Sequence, residues 1–136
     1  MSRRRRIPDV PHPETAATAM DAPLPVPHPP LVAILRGITP GEVPGHVAAL
    51  LEAGLTAVEI PTGSPDWARS VALAVEAGGA HAQVGAGTVL EPAHLDALEA
   101  AGGTLVVTPN VRPALIRQAR ERGFTVAAGC ATASEA

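Results

Sequence analysis

The stretch TVAAGCATASEA, Thr125–Ala136, sets a short apolar strand directly before the start of a helix. Thr125–Ala128 has the composition of a strand covered on both faces, and Gly129 ends it. Thr132-Ala133-Ser134-Glu135 then spells a capping box, in which the Thr and Glu side chains satisfy free amides of a first helical turn. The sequence stops one residue later, so a helix is announced but not spelled out.

The same alternation recurs upstream of Thr125. Leu31–Leu35, Thr56–Ile60, Ala82–Gly85 and Thr104–Val107 are short and apolar throughout, the pattern of parallel strands buried on both faces. With Thr125–Ala128, the strand starts are spaced 25, 26, 22 and 21 residues apart. The segments between them carry helix punctuation. Thr39-Pro40-Gly41-Glu42 is a capping box with Pro40 at the first helical position, Val43, Val47, Leu50 and Leu51 share a face, and Gly54 closes the helix. Ser64 is expected to cap the next helix, with Trp67, Val71 and Val75 inward and Gly78 behind it. Pro92 opens a third, with Leu95 and Leu98 inward and Gly102 closing. Pro113 sits in the first turn of a fourth, with Leu115, Ile116 and Ala119 inward and Gly123 closing.

A βα unit repeated with so little ornament belongs to a doubly wound sheet or to a (β/α)8 barrel, and five strands alone would also suit a flavodoxin-like sheet. The ending favours the barrel. An intact domain seldom stops on a helix start, because the face of its last strand would stay uncovered. The expected fold is therefore α/β, a partial (β/α)8 TIM barrel comprising about the first five βα units, over residues 31–136 of a longer protein.

Residues 1–30 differ in kind. They hold eight prolines and the run Arg3-Arg4-Arg5-Arg6, with almost no periodic apolar pattern. Repeated proline removes backbone donors and fixes φ, so a disordered Pro/Arg-rich extension is expected there. No apolar stretch follows the arginines, as a secretion signal would require.

Composition narrows the function classes. An apolar content of 46% with 17% charge suits a folded globular chain. A net charge of −3, with neither a basic stripe nor aromatic platforms, argues against a nucleic-acid binder. No apolar run is long enough to span a bilayer. One cysteine precludes an internal disulfide and suits a reducing cytoplasm. All ten basic residues are arginine, so the chain has no lysine with which to form a Schiff base.

In a parallel βα protein, chemistry gathers at the C-terminal ends of the strands. That edge presents Arg36-Gly37, Glu59, Gly85-Ala86-Gly87-Thr88, Thr108-Pro109-Asn110 and Gly129-Cys130. Glu59 stands inside the apolar string Ala57-Val58-Glu59-Ile60, where an unpaired carboxylate is costly. It reads either as a strand-end glutamate paired with an arginine or as a general acid/base. Arg36 is the candidate ion-pair partner, or a bidentate holder of an anionic substrate. Gly85-Ala86-Gly87-Thr88 resembles a Gly-rich anion loop, but Leu90 stands where a dinucleotide fingerprint needs its third glycine. The other reading is a tight turn required by backbone geometry. Thr88 could offer its hydroxyl and amide to a carboxylate. The five histidines are scattered without metal-ligand spacing, so no metal site is expected. Cys130 is expected to be a small apolar filler near the mouth.

The segments LVAILRGITP, AVEIP, SPDW, VGAGTVL, VVTPN and GCATASEA, in this order from Leu31 to Ala136, resemble the 2-keto-3-deoxy-6-phosphogluconate and phosphogalactonate aldolases. ILRGITP, EIP followed by SPDW, and GCATASEA are closer to the galactonate branch. Thr62-Gly63 departs from it, since that branch usually carries a larger apolar residue and an Asn after EIP. The resemblance implies a class I aldolase that cleaves a phosphorylated keto-acid sugar into pyruvate and glyceraldehyde 3-phosphate through a lysine Schiff base on a sixth strand, which this sequence does not contain. It implies that Glu59 is the catalytic proton shuttle, that Arg36 and Thr88 hold the substrate carboxylate and pyruvyl end, and that Pro109 lines the pocket. No cofactor is implied, and a cytoplasmic homo-oligomer, a trimer in that family, is. A non-catalytic, lysine-free half-barrel that pairs with another chain or binds a small anion without turnover is the alternative.

Overall fold

The computed structural model describes Pro27 and residues 29–136. The expected extension lies almost wholly outside the described residues. Five strands alternate with four helices: β1 (Ala33–Ile34), α1 (Val43–Glu52), β2 (Ala57–Pro61), α2 (Trp67–Gly78), β3 (Gln83–Gly87), α3 (Pro92–Ala100), β4 (Leu105–Thr108), α4 (Pro113–Glu121) and β5 (Thr125–Ala128). A 3-10 turn, Gly79–His81, links α2 to β3.

All strand pairs are parallel, and the spatial order β1-β2-β3-β4-β5 is the chain order. This order decides between the two βα architectures. A doubly wound sheet needs a point at which the order reverses, so that its helices fall on both faces. An unbroken sequence of crossovers of one hand keeps every helix on one face. The helices do pack side by side, α1 on α2, α2 on α3 and α3 on α4. The molecule is an arc of a (β/α)8 barrel.

The core lies between that helical layer and the sheet. Ile60, Val84, Ala86 and Val106 point from the strands into a cluster with Val43, Val47, Val71, Leu95, Leu98 and Leu115. Ile60, Leu95 and Leu98 are fully buried, each worth roughly 1.5–3 kcal/mol of hydrophobic stabilisation. Ile116, expected inward, is only half-buried.

Helix ends show where local signals prevail. At the end of α1, Gly54 adopts φ +82° and its amide reaches Leu51 O, while Leu55 N reaches Leu50 O. This paired closure needs a left-handed residue, which glycine supplies without strain. The same pairing recurs at Gly102 and Gly123.

The starts depart from expectation. Glu42 does reach back to Thr39, accepting from its amide (2.9 Å) and hydroxyl (2.6 Å), and these bonds hold its carboxyl below the ordinary value. The helix nonetheless begins only at Val43, so the box closes a turn ahead of α1. Asp66, not Ser64, precedes α2, in a left-handed conformation at φ 45°. Gly78 lies within α2, and Gly79 follows it as the cap. Thr132–Glu135 forms a turn, with Glu135 accepting from the amide of Ala131 rather than that of Thr132.

The expectation that all five strands are buried on both faces holds only for the middle three. Every residue of β2 is buried, whereas Leu31 and Ile34 are 58% and 59% exposed and Ala127 and Ala128 are also exposed. The cause is position: among the described residues, β1 and β5 each have one neighbouring strand.

Candidate active site

Side chains alternate across a strand, so Ile60 on the helical side puts Glu59 on the opposite, concave face. Register sets Glu59 beside Ile34 of β1 and Gly85 of β3, and Pro61 beside Gly87. The Glu59 carboxylate rises along the strand into the space above Gly87. A Cβ at Gly87 would collide with all three atoms of that carboxylate group. The glycine is therefore a seat for the acid, a role absent from the sequence-based expectations. Its signal lies in the repeat Gly85-Ala86-Gly87, which puts two side-chain-free positions on one face of the strand opposite the glutamate.

These glycines also correct the anion-loop reading. Gly85-Ala86-Gly87 lies inside β3, and neither glycine has positive φ. Glycine within a strand marks the close approach of another group. At Gly85 that group is Leu105, whose carbonyl an added Cβ would strike.

Glu59 is 4% exposed, and its Oε2 atom is buried with no hydrogen-bond partner. Burial pushes its carboxyl above the ordinary value, and the charge of Arg36 draws it part of the way back. Arg36 forms no ion pair with it; the ion pairs among the described residues join His94 to Glu91 and Arg122 to Asp96 and Glu99. The reading of Glu59 as half of a structural salt bridge is thereby corrected, because the guanidinium stays exposed at the rim. There Arg36 lines a cleft of about 290 Å³ with Gly37, Glu42 and His46.

Thr88 follows Gly87 at the end of β3, half-buried and at φ 57°. Left-handed backbone is a genuine outlier for a β-branched residue. Two bonds from Thr62 brace it: Thr62 N donates to Gly87 O and Thr62 Oγ1 to Thr88 O, both at 2.9 Å. Pro109 is exposed after β4, two strands from Glu59, where its carbonyl packs against Gly129. The structure thus gathers Arg36, Glu59 and Thr88 on three adjacent strand ends and leaves Pro109 further round the rim.

Cys130 is exposed rather than packed as a filler, because none of the described elements covers the end of β5. Among the described residues, no three His, Cys, Asp or Glu side chains group so as to hold a metal ion, and no helix is long and apolar enough to cross a membrane.

Comparisons with known proteins bear on the family of the chain. The 2-dehydro-3-deoxy-6-phosphogalactonate aldolase of Escherichia coli K12 is 54% identical over 107 residues, covering 79% of this chain and 52% of its own length. A probable enzyme of the same name from Rhizobium meliloti 1021 is 49% identical over 114 residues, covering 84% of this chain and 54% of its own. A solved structure described as native KDPGal superposes with a TM-score of 0.75 at 54% identity, covering 78% of this chain and 52% of that one. The chain thus spans about half the length of the curated relatives it matches. The sequence model of the KDPG and KHG aldolases matches residues 27–136, and the chain belongs to that family.

Proposed function

We propose that this chain carries the first part of a class I aldolase site that cleaves 2-keto-3-deoxy-6-phosphogalactonate to pyruvate and glyceraldehyde 3-phosphate. The observation that carries this reading is Glu59, a dry carboxyl with an unpartnered oxygen on the concave face of the sheet. Such a group has little structural reason to be there, and its raised pKa suits proton transfer nearer neutrality. Glu59 passes protons as the carbinolamine forms and loses water. Arg36 and Thr88 anchor the carboxylate of the 2-oxo acid, Arg36 by charge and Thr88 by its hydroxyl. Pro109 lines the outer pocket.

The imine supplies the electron sink for carbon–carbon cleavage, and these 136 residues contain no lysine to form it. The amine therefore comes from polypeptide outside them. The complete enzyme is a cytoplasmic homo-oligomer, a trimer, in galactonate breakdown. The gluconate-derived substrate, which differs at one carbinol centre, is the competing choice.

Trapping with borohydride in the presence of pyruvate tests the mechanism. The mass of the 136-residue chain should stay unchanged, and a continued chain bearing a sixth strand with an inward lysine should gain a reduced pyruvyl adduct. In that longer protein, Glu59→Gln should keep the fold and lose most turnover. An adduct on the lysine-free chain would overturn the assignment.

A further inference from the structure

The loop between β2 and α2 makes three long-range bonds, two toward β3 and one toward β1. Toward β3, Thr62 donates its hydroxyl to Thr88 O and its amide to Gly87 O. Toward β1, Ser64 Oγ accepts from the amide of Gly37 at 3.0 Å across a separation of 27 residues. Ser64 is only 5% exposed, so the accepting side of this part-buried bond is covered. Between them, Gly63 has nothing within 4 Å of where its Cβ would stand, and Ser64 N closes the turn on Pro61 O.

We propose that Thr62 and Ser64 are positioning residues that hold the two anchoring groups, Thr88 and Arg36, at fixed places on either side of Glu59. This rests on the functional reading above and adds to it how the anchors are set.

Thr88 occupies a backbone region that its branched side chain resists, so something outside its own peptide must keep it there. The Thr62 hydroxyl does so by fixing the Thr88 carbonyl. The Thr88 hydroxyl, which bonds none of the described residues, is then left for a ligand. Arg36 has a long, exposed side chain, and its usefulness as an anchor depends on where its backbone root stands. Ser64 sets that root by holding the next residue, Gly37, at φ 76°. Ser64 is accordingly not available to cap α2, and the helix begins at Trp67 behind a strained Asp66 instead.

The test uses the 136-residue chain, isotopically labelled, with pyruvate as probe. A strong intraresidue amide-to-α-proton NOE reports the left-handed conformation of Thr88, and amide shifts on titration report binding. Thr62→Val should abolish the NOE and weaken pyruvate binding by about tenfold, the loss expected for one neutral hydrogen bond at the upper end of its range. Thr62→Ser should restore both. Ser64→Ala should weaken binding while leaving the Thr88 NOE intact, with its shift changes centred on Gly37. Unchanged NOE and affinity in Thr62→Val would overturn the proposal. A parent chain that does not bind pyruvate, with the NOE still lost in Thr62→Val and kept in Thr62→Ser, would overturn the functional reading and leave the clasp on Thr88 standing.

Discussion

The middle strands β2, β3 and β4 and the outer strands β1 and β5 are made of similar residues, mostly Ala, Val, Ile and Leu, yet they meet different surroundings. Ile60 of β2 is fully buried and Ile34 of β1 is 59% exposed. The same side chain is a core residue in one strand and a surface residue in the other because a sheet buries a residue through its neighbours. Strands β2–β4 have a strand on each side and a helix beneath; among the described residues, β1 and β5 have one partner each. The difference extends to chemistry. Glu59 is dry because it stands on the best-covered strand, while Arg36, at the end of β1, is exposed at the rim.

The largest expected effect comes from repeating one substitution in both regions. Ile60→Ala should cost about 2–5 kcal/mol of stability, since a buried side chain is removed and a cavity remains. Ile34→Ala should change stability by no more than about 0.5 kcal/mol. Urea midpoints at constant slope measure both. Equal losses would break the contrast and mean that β1 is covered in solution by a partner or further polypeptide.

A smaller effect is expected at Gly87, where the seat of the acid lies. Gly87→Ala inserts a methyl group where the Glu59 carboxylate sits, and overpacking of this kind costs about 1–3 kcal/mol. It should also push Glu59 toward solvent and bring its carboxyl back toward the ordinary value, which carbon-detected titration of the side chain can follow. An unmoved titration would show that the acid owes its environment to something other than Gly87.

The smallest effect depends on pH. Burial raises the folded-state carboxyl of Glu59 above its ordinary value of 4.5. Between those two values the folded chain holds a proton that the unfolded chain has released, so stability falls as pH rises through the window and stays lower above it. Glu59→Gln cannot ionise. It should be more stable than the parent above the window, and the gain should shrink below pH 4.5. A stability difference that does not vary with pH would indicate a hydrated carboxylate and remove the distinction between a dry centre and a wet rim.

Strand positions are legible in the sequence to within a residue or two, apart from a shorter β1 and a longer β3, because short apolar runs between turn residues have few other uses in a βα chain. Glu59 stands out for the same reason, as a charge inside one of those runs. Helix starts are harder to read. Ser64, Thr39 and Thr132 all have the chemistry of a cap, but a hydroxyl bonds whatever amide the fold brings near. For Ser64 that is the amide of Gly37, far away in sequence.

Composition and local period suffice for the βα repeat, the absence of lysine and the isolation of one carboxylate among apolar residues. The strand order that makes an arc instead of a two-faced sheet emerges only when the strands pair. So do the room that Gly87 makes for Glu59 and the reach of Thr62 and Ser64 to opposite neighbours. Each of these joins residues twenty or more positions apart, where register between strands, and no local preference, selects which groups meet.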